Sequence, residues 1–315
     1  MDKLDCDGNE MSTKPKDRRD IRIGTFLAMC MVVMIHSPVS GGGEGISGSV
    51  IHCITQWAVP YFFFVSGCFL MRSMQRSTAT EMCRKKIKSL LVPFLLWELI
   101  WSFVGGNPTL WFLQSLIAFT ALALGVWAVL GRRNEKVSLV FLGAVFAMLV
   151  LGKQRWAYGT PTSPFFFLAG LFLSERVLNG NGCRRGRLAI LSLIAVVVLR
   201  TVWGVCNLSG WVEMSVRNVC VIFEIAFVWF AIELLPSSIN FDRPIFRCTF
   251  FVYCFHYPVL CLVKQGWVAV FGQSFVSSTI GFFVLSLTMP FVCCLVALGV
   301  RSLWPFGYRV ISGGR

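Results

Sequence analysis

The sequence predicts an all-α fold: a polytopic membrane helix bundle of about ten transmembrane helices, both termini cytoplasmic. Three observations carry this. Of 315 residues, 56% are hydrophobic and only 14% charged, and the mean hydropathy is +0.71, well outside the range of a soluble domain. Apolar runs of about 20 residues recur along the chain. That length crosses a bilayer core, where a helix is the open-chain structure that satisfies its own backbone. Basic residues fall in alternate loops: with ten helices, 24 of the 29 lysines and arginines lie on one side, as expected of cytoplasmic loops.

The first span, 21–39, follows a polar tail, 1–20, that is too long and too acidic for the n-region of a signal peptide. With no small-residue cleavage site after Ile35, it is expected to stay as an anchor. The second span, 49–71, starts near His52 and contains Pro60, and the third, 87–104, follows a basic cluster and contains Pro93 and Glu98. Both prolines are tolerated in membrane helices. The fourth is 109–130, the fifth and sixth are shorter at 137–152 and 163–178, and the seventh, 188–206, holds Arg200. Glu224 and Glu233 lie in the eighth, 215–235, His256 near the middle of the ninth, 246–270, and the tenth is 276–300. The chain thus divides into a cytoplasmic tail, 1–20, one transmembrane domain, 21–304, and a second cytoplasmic tail, 305–315. FFFVSGCFL at 62–70 and FFFLAGLFL at 165–173 share a register, a faint internal echo in a chain rich in phenylalanine.

The net charge of +14 is accounted for by topology, so a nucleic-acid partner is not expected. The 13 cysteines follow no metal-ligand spacing and sit mostly in apolar runs as small hydrophobes, so neither a metal site nor a disulfide framework is expected.

Ionisable groups inside a membrane are costly, and each is a candidate for function. The histidines are three: His36 toward the outer end of the first span, His52 at the start of the second and His256 in the ninth. An imidazole titrates near neutral pH and suits proton transfer from a hydroxyl or thiol, which makes His36 and His256 the catalytic candidates. A histidine at a helix end can equally snorkel to the interface, and one at mid-membrane can simply bond between helices. Glu98 and Glu233 lie near span ends and are expected to be solvated; Glu224 is expected to be buried. Arg84, Lys85, Lys86 and Lys88 read first as a topology signal and second as an anion site.

Six motifs in order resemble the successive signatures of the acyltransferase 3 family, ten-helix membrane enzymes that acylate glycans and other surface molecules. They are RIGTFLAMCMVVMIHS at 22–37, VPYFFFVSGCFL at 59–70, RKKIKSLLVPFLLW at 84–97, LWFLQSLIAF at 110–119, FFFLAGLFL at 165–173 and TFFVYCFHYPVL at 249–260. The resemblance covers about 22–300 and makes His36 the family's essential histidine. Where the family commonly has an arginine eleven residues earlier, this chain has Thr25, and Arg22 lies one turn before it, about 40° from the direction of His36 at 100° per residue. Where members often carry Arg-Asp after the WFL, this chain has Gln114 and Ser115 behind Trp111.

The resemblance implies that acetyl-CoA or another acyl-CoA approaches from the cytoplasm, with no metal, and that a glycan or lipid-linked acceptor is acylated on the outer side of the inner or plasma membrane. Arg72, Arg84, Lys85, Lys86 and Lys88 are then candidate contacts for the phosphates of CoA. Arg22, Thr25, Ser66, Gly67, Trp111, Gln114 and Glu224 are candidates for the substrate path, Gly67 because a missing side chain leaves room for a passing chain. His36 is either the base for the acceptor hydroxyl or the carrier of the acyl group. A transporter or flippase, with the histidines relaying protons, and a degenerate family member are the alternatives.

Overall fold

The computed structural model describes residues 19–36, 54–103, 105–106, 108–130, 140, 143, 163–179, 185–206, 208–236, 243–276 and 278–314; every element among them is helical. The chain runs through α1 (Arg19–His36), α2 (Ala58–Met74), α3 (Ala79–Lys86), a π-helical turn (Ile87–Leu91), α4 (Val92–Ser102), a 3-10 turn (Pro108–Leu110) and α5 (Trp111–Leu130). It continues through α6 (Ser163–Asn179), α7 (Arg185–Val205), α8 (Gly210–Glu233), a second 3-10 turn (Pro244–Arg247), α9 (Thr249–Phe271), α10 (Gln273–Val276), α11 (Thr279–Leu303) and α12 (Pro305–Ile311). Five segments are long and apolar enough to cross a membrane, Pro108–Val129, Arg185–Val205, Ser215–Glu233, Thr249–Phe271 and Phe283–Leu303. Ile21–His36, Ala58–Met74 and Ser163–Ser174 are shorter apolar helices. Ile190, Leu191, Ile194, Val197 and Val198 of α7 stay exposed, an apolar face that suits lipid. His52 and most of the expected fifth span, 137–152, lie outside the described residues.

The third expected span differs most. Helix begins at Ala79 rather than near residue 87, because Thr78 and Glu81 form a capping box: the Thr78 hydroxyl accepts from the Glu81 N–H at 3.3 Å and the Glu81 carboxylate from the Thr78 N–H at 3.2 Å. Such a cap contributes about 1 kcal/mol. Beyond it the helix passes through the π turn, a widening that often marks functional sites, and runs on as α4.

Three contacts fix the bundle around the site. α1 runs parallel to the second 3-10 turn and α9, with Phe26 against Phe246 of the turn (ring centroids 4.9 Å apart) at one end and His36 against His256 of α9 at the other. α2 crosses α6 at the two echoed segments. A Cβ on Gly67 would lie 2.1 Å from the carbonyl oxygen of Phe167, and one on Gly170, its counterpart in the echo, 2.0 Å from that of Phe64. Each glycine therefore receives the other helix's backbone. α7 and α8 are joined by two ion pairs, Arg185–Glu233 at 2.9 Å and Arg200–Glu224 at 2.5 Å. The side chain of Glu233 is only 3% exposed, so the solvated glutamate expected near a span end is instead buried against a partner.

α12 closes the end of the bundle near the π turn. Tyr308 is buried and stacks on Phe251, with ring centroids 5.3 Å apart, and the Trp97 indole N–H of α4 donates to the Ile311 carbonyl at 3.0 Å.

Candidate functional site

Two neighbouring features form the site: a cavity and a histidine pair. The cavity, about 580 Å³, lies among α1, α2, the end of α3, the π turn, α5, the second 3-10 turn and α9. Its cations are Arg22, Lys86 and Arg247, and none of the described lining residues is acidic. Ser66, Thr25, Thr120 and Thr249 add hydroxyls, and Phe62, Phe112, Phe250 and Tyr253 supply aromatic walls. The Thr25 hydroxyl bonds back to its own helix, donating toward the carbonyls of Ile21 (2.8 Å) and Arg22 (3.0 Å).

The cavity is polarised along α1 and α9. Because α1 runs parallel to the second 3-10 turn and α9, Arg22 and Arg247 lie toward one end and Tyr253 stands level with Val33, one turn short of the histidines. A helix rises 1.5 Å per residue, so Arg22 is about 21 Å from His36 along α1. The structure therefore does not bring Arg22 to His36, although both project from similar sides of one helix.

The His36 and His256 rings lie 5.3 Å apart between centroids, tilted by 41°, and Tyr257 packs edge-on against His36 at 5.9 Å. His256 is fully buried and His36 half-buried. Nδ1 of His256 lies 2.7 Å from the Tyr253 carbonyl oxygen. A carbonyl only accepts, so Nδ1 carries the proton and, in the neutral ring, Nε2 presents a lone pair. That Nε2 is buried and has no hydrogen-bond partner among the described residues. From Tyr257 to Phe271, α9 continues for about 22 Å beyond the pair. His36, the last described residue of α1, thus sits level with the first half of α9.

Tyr253 links the two features. Its ring lines the cavity, lies 5.3 Å from Phe112 and 6.0 Å from His256, and its hydroxyl donates to the Thr109 carbonyl in the turn before α5.

Of the residues expected on the path, Arg22, Thr25 and Ser66 line the cavity with Lys86; the rest are placed elsewhere. Gly67 is filled by the α6 backbone, so its missing side chain admits a helix and not a passing chain. Gln114 is exposed and Trp111, half-buried, packs against Phe112, because the inward face of α5 is carried by Phe112, Leu113 and Leu116. Glu224 is buried on Arg200, which also reaches Gln56 at 3.4 Å and packs over Trp203. Arg84, Lys85 and Lys88 are exposed and Arg72 half-buried, none of them on the cavity: successive residues turn by about 100°, so only Lys86 of the cluster points inward. Sequence reasoning missed Tyr253, Phe112 and Arg247. The first lies one turn before His256 in a motif already singled out, and the last was read only as topology charge.

An all-helical bundle with apolar, span-length helices around a buried polar pair is a membrane protein. Its residues 21–106 match the family model described as an acyltransferase domain, in the acyltransferase 3 family, and the match suggests acyltransferase activity. The matched segment carries Arg22, Thr25, His36, Ser66 and Lys86. No curated protein and no solved structure matches the chain.

Proposed function

We propose that the chain is an integral membrane O-acyltransferase of the inner or plasma membrane. It moves an acyl group, acetyl in the first instance, from cytoplasmic acyl-CoA to a hydroxyl of an exported or surface glycan or glycolipid. The observation that carries this reading is the lone pair of His256 Nε2, buried and, among the described residues, unpartnered beside the His36 ring. An unsatisfied buried polar atom costs about 1–3 kcal/mol and is retained where it has work to do.

In the proposed step His36 takes the proton of the acceptor hydroxyl as its oxygen attacks the thioester carbonyl. His256 Nε2 accepts an N–H from the His36 ring and orients it. The carbon–sulfur bond then breaks, and the departing thiolate of CoA takes the proton back. If His36 carries the acyl group first, the same atoms move in two transfers. Arg22, Lys86 and Arg247 suit the phosphates of CoA, and Ser66 and the threonines suit the amides of its arm. The positive-inside distribution supports a cytoplasmic Arg22 end.

The test is the acylation of surface glycans, read by mass spectrometry in a strain lacking the protein. Acyl groups should be missing there, return with the wild-type chain and not return with His36→Gln. Unchanged acylation on deletion overturns the proposal.

A further inference from the structure

We propose that Tyr253 and Phe112 select the acyl group, admitting a small uncharged one and rejecting branched or anionic ones. This rests on reading the cavity as the acyl-CoA site. Entering from the cationic end, the acyl group is the leading end of the donor, so it is the first part to meet the opposite wall. That wall is aromatic and one residue thick: Tyr253 touches the cavity on one side and His256 on the other.

The wall is held firmly. The Tyr253 hydroxyl is tied to the Thr109 carbonyl, and Thr109 is itself buried. Phe112 is wedged against Tyr253 at 5.3 Å, Phe63 at 4.6 Å and Phe62 at 5.8 Å. Both rings are over nine-tenths buried. Widening the gap means moving packed rings, so bulk beside the thioester carbonyl meets a steric barrier.

Charge is rejected for a separate reason. The lining cations stand toward the far end: Arg22 about 16 Å from the level of Tyr253 along α1, Arg247 in the second 3-10 turn before α9, and Lys86 about four helical turns before Trp101, whose indole N–H donates to the Cys254 carbonyl beside Tyr253. A terminal carboxylate pressed on the wall would lose its water with no cation of the described lining beside it.

The experiment measures dissociation constants of CoA, acetyl-CoA, isobutyryl-CoA and succinyl-CoA for the full chain in lipid nanodiscs. Wild type should bind acetyl-CoA about tenfold or more tightly than the isobutyryl and succinyl esters, the discrimination typical of a fitted apolar pocket. Phe112→Ala should close most of the isobutyryl gap to acetyl-CoA, as the ring's removal frees space at the wall. Phe112→Leu serves if the alanine variant does not fold, with a smaller change in the same direction. Equal affinities for the three esters in wild type, or an isobutyryl gap unmoved in the Phe112 variants, would overturn the selection role while leaving the donor site standing. A wild-type chain that binds none of the four overturns both.

Discussion

Gly67 and Gly170 occupy equivalent places in two echoed segments, and each receives a backbone carbonyl of the other's helix, from Phe167 and Phe64. The weak internal echo in the sequence is therefore the imprint of a contact. The helices approach so closely that neither position has space for a Cβ.

Substituting Gly67 by valine should force α2 and α6 apart. Overpacking typically costs about 1–3 kcal/mol, and a carbonyl oxygen in a packed crossing cannot give way as a side chain can. Thermal unfolding in detergent should show a clear drop. Gly125→Ala, at a position with nothing within 4 Å, should be neutral or slightly stabilising, since alanine is the better helix former by about 1 kcal/mol. Equal melting of Gly67→Val and wild type would remove the crossing from the account of stability.

The histidine pair predicts a graded response. His36→Gln should lower acyl transfer by about 10²–10⁴-fold, the usual loss of a general base, with insertion unchanged. His256→Gln, at an orienting residue, should cost less and shift the pH profile of kcat, because the basicity of His36 depends on what its ring donates to. Full activity in a well-expressed His36→Gln preparation refutes the base or carrier role.

Within the basic cluster the structure separates one lysine from its neighbours. Lys86→Gln should raise the apparent KM for acyl-CoA several-fold with little change in kcat, as contacts to remote phosphates hold ground and transition states alike. Arg84→Gln, Lys85→Gln and Lys88→Gln should each leave donor dependence unchanged. A uniform effect across the four would return the cluster to a diffuse electrostatic or topological role.

The Arg200–Glu224 pair lends itself to a double-mutant cycle. Arg200→Leu leaves a buried carboxylate without its cation and should destabilise the folded chain by about 3–5 kcal/mol. Arg200→Leu with Glu224→Leu should recover most of that loss, since a matched apolar pair is often neutral. Additive losses would show that the two groups act separately.

Much of the bundle was legible because hydropathy reports directly on spans, and His36 and His256 stood out because imidazoles are rare among so many apolar residues. Their proximity was not legible: nothing local in either motif encodes the register of α1 against α9, which is set by packing such as Phe26 on Phe246. Tyr253 and Phe112 were hidden for the opposite reason, since single aromatic residues carry no signal in a chain with 29 phenylalanines. The start of α3 was visible in the spacing of Thr78 and Glu81, but the run of charge that follows reads as loop. Partners for Glu224 and Glu233 belong to a neighbouring helix, which composition cannot name.

The pairing of His36 with His256 also orders the birth of the protein. The two imidazoles sit on helices made at nearly opposite ends of synthesis. At about 5–20 residues per second, His36 enters the membrane roughly ten to forty seconds before its partner exists. Throughout that interval the flank of α1 that later packs on α9 must be sheltered by lipid or by the insertion machinery. Any chain released before α9 docks carries His36 without His256. The pair is thereby assembled only late in synthesis, and under the proposed function a molecule inserted short of α9 would lack the second imidazole on which acyl transfer rests.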